Sequence, residues 1–153
     1  PVALWTSMRI QDSLAQGVSY YLAELRRLKE VVDGARVESR AEERVPLYLL
    51  DEILQGTNTA ERQIAARRII MHLVEQGAIG AVSTHDLNLA DAPEIAAVAR
   101  PIHFTEHFST GPDGPVMTFD YRLRQGIATS TNALRLMEIV GLDLGAGREG
   151  VRG

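Results

Sequence analysis

Residues 46–52 read Pro46-Leu47-Tyr48-Leu49-Leu50-Asp51-Glu52: a short continuous apolar run that stops abruptly at two carboxylates. A run of this length without polar alternation predicts a strand buried on both faces, as in a parallel sheet. A polar loop follows, Gln55-Gly56-Thr57-Asn58-Thr59. Beyond it Ala66, Ile69, Ile70, Leu73 and Val74 recur at helical spacing, with Arg68, His72 and Glu75 on the other side and Gly77 as the stop. A second apolar run, Ala78 to Val82, ends in Ser83-Thr84-His85-Asp86. Strand, helix, strand, with polar residues at both strand ends, is a βαβ unit, so the fold class is α/β with parallel strands joined by a crossover helix.

Outward from this unit the pattern is also readable. Between Val18 and Val32, Tyr21, Leu25, Leu28 and Val32 (with Leu22 alongside) predict a helix whose far side carries Glu24, Arg27 and Glu30. Asp33-Gly34 is the expected helix end, and Ala35 to Arg44, rich in charges of both signs, reads as a solvated loop or a weak surface helix. In the last third the period falls to two. Ile102, Phe104 and Phe108 alternate with His103, Thr105 and His107. Met117, Phe119, Tyr121 and Leu123 alternate with Val116, Thr118, Asp120 and Arg122. The turn-rich stretch Ser109 to Pro115 between them predicts an antiparallel hairpin with one buried face. A closing helix is expected to start near Thr129-Ser130-Thr131 and to bury Ala133, Leu136, Met137 and Val140. Residues 1–144 read as one domain and 145–153 as a Gly-rich flexible tail.

Composition narrows the function classes. The 153 residues are 45 % hydrophobic and 24 % charged, as in globular domains. Sixteen Lys and Arg against twenty Asp and Glu give a net charge of −4, which disfavours a stand-alone nucleic-acid binder. With no Cys, disulfide frameworks and thiolate zinc sites are excluded. No apolar run approaches the roughly 20 residues of a membrane helix. No basic-then-apolar leader follows Pro1, so a cytoplasmic location is the expectation, and a chain opening on Pro1 suggests a piece of something longer.

The strand ends carry the chemistry. Ligand-binding groups of open α/β sheets sit at the carboxyl ends of the strands. There an Asp can hold Mg²⁺, and a carboxylate after it can orient or deprotonate a water. Any buried strand must also exit into polar residues, so the pattern of Asp51-Glu52 alone leaves both readings open. His85, at the end of the next strand, opens on the same edge and could donate to a phosphate or a water. Nothing matches G-x-x-x-x-G-K-[ST], and the one lysine is Lys29, on the polar side of a helix. Any phosphate-cradling loop is therefore expected upstream. His103 and His107 lie four strand residues apart, about 13 Å, too far for one metal, and read as surface polar groups. Arg62, Arg67 and Arg68 read as a solvated helix face.

Several stretches in order resemble one family. They are Ser7-Met8-Arg9-Ile10, then Asp12 to Tyr21 with Ala23-Glu24-Leu25, then Leu49 to Thr59, then Ser83-Thr84-His85-Asp86. Phe119 to Leu123 with Gly126, Asn132-Ala133 and Leu136-Met137 complete the set. Together they resemble the second half of the ATPase domain of the MutS mismatch-repair family, within the ABC-type P-loop NTPases, from roughly Ser7 to Leu142. The resemblance implies ATP hydrolysis with Mg²⁺. Asp51 would be the Walker B aspartate reaching the metal, Glu52 the residue polarising the attacking water, and His85 the switch histidine near the γ-phosphate. Ser19, in the Gly17-Val18-Ser19 turn, would be the signature serine reaching a partner subunit's nucleotide. Asn58 would lie in the loop that crosses the dimer interface. A homodimer is implied, with DNA bound through regions outside this chain.

Where mismatch-repair members carry Gly-Arg-Gly-Thr-Ser-Thr after the acidic pair, Leu54-Gln55-Gly56-Thr57-Asn58-Thr59 stands here, and Glu61-Arg62 replaces a usual Asp-Gly. The segment between Ile10 and Asp12 is also shorter. These departures resemble the shorter MutS-related branch that lacks a mismatch-reading domain. The alternatives are a non-catalytic dimerisation module on the same fold and a relative that senses DNA structures other than mismatches.

Overall fold

A computed structural model describes residues 1–8, 20–41, 43–111, 114–128, 136–137 and 139–141. The chain divides into two compact units, Pro1–Pro101 and Ile102–Gly153. The first holds, in order, β1 (Val2–Ser7), α1 (Tyr20–Ala41), β2 (Val45–Asp51), α2 (Thr59–Glu75), β3 (Ile79–Ser83) and the single-turn helices α3 (Leu87–Ala90) and α4 (Pro93–Ala96). The three strands form one parallel sheet in the order β1-β2-β3. The βαβ unit is therefore present where the two apolar runs placed it, and β1 adds a strand on the other side of β2.

Among the described residues, the helices cover one face of this sheet and leave the other bare. Trp5, Tyr48 and Gly80 stand in register across the three strands, as do Ser7, Leu50 and Val82. Tyr48 and Leu50 join Leu28, Val31 and Ala35 of α1 and Ala66, Ile70 and Leu73 of α2 in a single core. The opposite rows are Leu4-Leu47-Ile79 and Thr6-Leu49-Ala81. Among them Leu4, Leu49 and Ile79 are 58 %, 37 % and 55 % exposed. The expectation that the Pro46–Leu50 strand is buried on both faces is thus corrected: apolar residues occupy both faces, but the helices of this unit lie on only one.

Helix α1 departs from the sequence reading in two ways. It runs through Asp33-Gly34 to Ala41 without stopping. Gly34 is there for space: a Cβ on it would sit 2.3–2.6 Å from the Trp5 indole ring. The residues beyond it are not a solvated loop. Ala35 and Glu38 are buried, and Arg44 makes a two-pronged contact with the Glu38 carboxylate at 2.7 and 3.0 Å, tying the end of α1 to the start of β2. The buried stripe is Glu24, Leu28, Val31, Ala35 and Glu38. Leu22 and Leu25 are exposed, so Glu24, expected on the polar side, is on the buried one.

Helix α2 starts at Asn58, whose side chain accepts the Glu61 N–H, and ends at Gly77 with φ +72°. Asp86 caps α3 and also receives the Gln63 side-chain amide at 2.9 and 3.0 Å, joining the end of β3 to α2. Burial raises the Asp86 carboxyl. The hydrogen bonds from Gln63 and the Leu89 N–H, with the nearby Arg62 charge, outweigh it and hold the group below the usual carboxylate range.

In the second unit, β4 (Ile102–His103) pairs antiparallel with β7 (Arg124–Gln125), and β5 (Glu106–Gly111) pairs antiparallel with β6 (Gly114–Phe119). The hairpin is present but shorter than its alternating pattern. Asp120 ends it by accepting the Arg122 N–H at 2.9 Å, and Tyr121 takes φ +54°. The expected buried face forms only in part among the described residues: Phe108 and Met117, paired across the hairpin, are half-buried, while Ile102, Phe104, Phe119, Tyr121 and Leu123 are exposed. His103 bonds the Gly126 carbonyl at 2.9 Å and His107 the Asp120 carboxylate at 3.1 Å, each held locally as a surface polar group. Leu136, Met137 and Ile139 are helical, while Val140 lies in the turn after them and is exposed, not buried. Thr129 to Thr131, Ala133 and the tail 145–153 lie outside the described residues. Among those described, no helix is long and apolar enough to cross a membrane.

Two outcomes test this packing. Replacing Gly34 by Ala should gain about 1 kcal/mol in helix propensity and lose about 1–3 kcal/mol by overpacking against Trp5, a net loss of up to about 2 kcal/mol. Urea unfolding of Gly34→Ala measures the balance, and a stabilised variant would contradict the seating of α1 on β1. The second concerns Asp86. Its folded carboxyl titrates below its unfolded one, so its contribution is complete above about pH 4 and is lost as the pH falls through the folded value. Asp86→Asn should cost about 1–2 kcal/mol at pH 7, with the gap to the parent closing in acid. A gap that is constant down to acid pH would rule this out.

Candidate functional site at the carboxyl edge of the sheet

The parallel arrangement brings the ends of β2 and β3 to one edge. Asp51 pairs directly with Ser83 in the strand register, and the Ser83 hydroxyl donates to the Asp51 carboxylate. Both belong to the uncovered face, in line with Leu49 and Ala81 two residues earlier on each strand.

The chain then turns sharply. Glu52 has φ +48° and Leu54 φ +63°, two non-glycine residues in the left-handed region within three positions. Such residues cost of order 1–3 kcal/mol each and persist only where the surroundings over-determine them. Here the surroundings do. Ile53 and Leu54 are buried in the core, the Glu52 N–H bonds the Ser83 carbonyl at 3.2 Å, and the Leu54 N–H donates to the buried Glu24 carboxylate of α1. The turn swings the Glu52 side chain toward the end of β3. Its Oε1 lies 3.3 Å from His85 Nε2, and its Oε2 accepts from the Gln55 side-chain amide at 2.8 Å.

The His85 side chain is 97 % exposed, and among the described residues its ion-pair contact is with Glu52. The loop that carries it is not loose: the Thr84 hydroxyl accepts the Asp86 N–H at 3.0 Å, and Asp86 is anchored to α2.

Asp51, Glu52 and His85, singled out from the sequence, therefore converge at one edge. Asn58 lies beyond the same turn as the cap of α2, its side-chain oxygen engaged by Glu61. Gly17 and Ser19 lie outside the described residues. Among the described residues no group of three His, Asp or Glu side chains could cage a metal ion. The sequence reading missed Glu24 and gave no role to Ser83 or Gln55. A signal for Glu24 existed, since it falls one turn before Leu28 on the stripe that continues through Val31 and Ala35.

No protein-family model matches the chain. It is 30 % identical to Endonuclease MutS2 of Thermomicrobium roseum over 140 residues, 92 % of this chain and 16 % of that protein. It is 26 % identical to DNA mismatch repair protein MutS of Haloquadratum walsbyi over 141 residues, 91 % of this chain and 14 % of that protein. With DNA mismatch repair protein MSH3 of Candida glabrata the identity is 23 % over 140 residues, 90 % of this chain and 13 % of that protein. The chain thus spans about one-sixth or less of the length of the curated relatives it matches. Asp51, Glu52 and His85 sit at one edge of a parallel sheet in a chain that, over about 91 % of its length, is 23–30 % identical to segments of MutS, MutS2 and MSH proteins.

Proposed function

We propose that this chain is the part of a MutS-like, ABC-type P-loop ATPase that supplies the water-activating and metal-binding carboxylates. In the full-length protein it would act in DNA repair or in sensing DNA structure. The observation that carries the reading is the Asp51–Glu52 turn: two adjacent carboxylates at the end of the central parallel strand, sent in different directions by the φ +48° of Glu52. Asp51, beside Ser83, faces the bare side of the sheet, while Glu52 reaches His85. On this reading Asp51 would meet a metal and Glu52 a water.

Mg²⁺ fits this donor set. It is commonly held by one or two carboxylates together with substrate phosphates and water, with no all-protein cage, and the described residues offer Asp51 and no cage. When bound with ATP it would neutralise charge on the phosphates. The phosphate cradle itself is not in this sequence: no G-x-x-x-x-G-K-[ST] occurs, and Lys29, the one lysine, is paired with Asp33 on the exposed side of α1. A P-loop and its helix from elsewhere in the protein would both cover the bare sheet face and bring the phosphates to Asp51. By itself this chain should therefore not turn over ATP.

The ATP sites would form across a dimer, with Ser19 and Gly17 addressing the nucleotide held by the other subunit. A hydroxyl with free N–H groups at the start of a helix suits a phosphate.

In the full-length protein, Glu52→Gln should lower kcat for ATP by about 10²–10⁴ while nucleotide binding survives. Undiminished turnover would mean that the water-activating residue is not Glu52, whereas no turnover in the unmutated full-length protein would favour the non-catalytic, interaction-module reading. For the dimer, Ser19→Ala subunits mixed with subunits lacking the P-loop lysine should regain part of the activity. A mixed dimer then holds one doubly damaged site and one intact site. No rescue, with mixed dimers shown to form, would exclude a serine acting across the interface.

A further inference from the structure

We infer that Glu24 is the positioning residue of this site: its buried carboxylate on α1 fixes the turn that aims Glu52. This deepens the ATPase reading and rests on it for its catalytic part. The geometry is specific. Glu24 is 3 % exposed, and its Oε1 accepts the N–H of Leu54, the residue at φ +63° that follows Glu52 by two positions. The Gln55 N–H adds a second hydrogen bond to the same carboxylate. Gln55 is also the residue whose side chain holds Glu52 Oε2. One residue further on, Gly56 lies so close to α1 that a Cβ would sit 2.7 Å from the Tyr21 Cβ. The turn is thus fastened to the first turns of α1 at three successive residues, 54, 55 and 56.

A buried carboxylate is an expensive way to satisfy an amide. Burial pushes the Glu24 carboxyl up, and the two amide hydrogen bonds only partly offset this. Its second oxygen has no hydrogen-bond partner among the described residues. An ordinary helix seat on this stripe would be Leu or Ala, like Leu28 and Ala35. What the carboxylate supplies, and an apolar residue cannot, is an acceptor for the inward-pointing amides of a left-handed turn. Without it the Leu54 N–H would be buried and unpaired, and the turn would have reason to relax and carry Glu52 with it. A displacement of about 1 Å at a reacting group can cost about 10²-fold in rate.

The test uses the full-length protein and three variants. Glu24→Met keeps length and removes the acceptor, Glu24→Gln keeps an acceptor oxygen, and Glu52→Gln is the control. The expected result for Glu24→Met is a kcat lower by about 10²-fold with KM for ATP unchanged, and for Glu24→Gln a kcat close to the parent's. Hydrogen exchange supplies a readout that does not depend on catalysis. The Leu54 and Gln55 amides should be as protected as the core of α2 in the parent and in Glu24→Gln. They should exchange rapidly in Glu24→Met while α2 keeps its protection.

An unchanged kcat in Glu24→Met would overturn the inference, as would a loss confined to KM or a Glu24→Gln variant as impaired as Glu24→Met. If Glu24→Met fails to fold, rapid exchange of the Leu54 amide in the parent would overturn it equally. Should Glu52→Gln leave turnover intact, the assignment of Glu52 to water activation falls, while the exchange pattern still reports on the clamp.

Discussion

The structure depends on how the chain leaves β2. A buried strand that ends in carboxylates must reverse direction without stranding amides in the core, and here it does so within Glu52, Ile53 and Leu54. Two left-handed residues, two buried apolar side chains and two inward amides are reconciled by acceptors from different parts of the fold: the Ser83 carbonyl of β3 and the Glu24 carboxylate of α1. Because both acceptors are distant in sequence, the turn can form only once the sheet is paired and α1 is seated. That seating in turn needs the gap at Gly34 for Trp5 and the Glu38–Arg44 bridge at the far end of the helix. The direction in which Glu52 points is therefore a product of the whole first unit.

The bare face of the sheet gives the same edge its second property. Parallel sheets normally have both faces covered, and this one exposes Val2, Leu4, Val45, Leu49 and Ile79 on one side. Asp51 stands at the carboxyl end of that side. A metal or phosphate approaching Asp51 would meet it at the border between the sheet and whatever element covers the face. Homology over about 91 % of this chain to segments of much longer MutS, MutS2 and MSH proteins is consistent with such an element lying elsewhere in the protein.

Much of the first unit was legible because its signals are local. Apolar runs bounded by polar clusters placed β2 and β3, Gly77 marked the end of α2, and parallel strands put Asp51, Glu52 and His85 on one edge. The unread parts depend on partners far away in the chain. Gly34 looks like a helix terminator until Trp5 is known to lie against it, and Glu24 looks solvated until the Leu54 amide is known to need it. β1 escaped because Val2, Leu4 and Thr6 face outward while Ala3, Trp5 and Ser7 face inward, so the run resembles neither a fully buried nor an amphipathic strand. In the second unit, alternation predicted the hairpin but not its early end, which is set by Asp120. That carboxyl, held far below its usual range chiefly by Arg124 and then by the Arg122 N–H, prefers its own local turn to a longer ladder.

The central claim is that adjacent carboxylates at the end of β2 divide metal binding and water activation between them. The most direct measurement is the structure of the full-length protein with Mg²⁺ and a non-hydrolysable ATP analogue. The account predicts the Asp51 carboxylate directed at the metal or one of its waters. It also predicts a Glu52 oxygen at hydrogen-bond distance, about 2.6–3.2 Å, from a water facing the γ-phosphate, with the Leu54 amide still on Glu24. A nucleotide bound away from this edge, or a Glu52 side chain turned from the γ-phosphate while Asp51 contacts neither metal nor water, would contradict it.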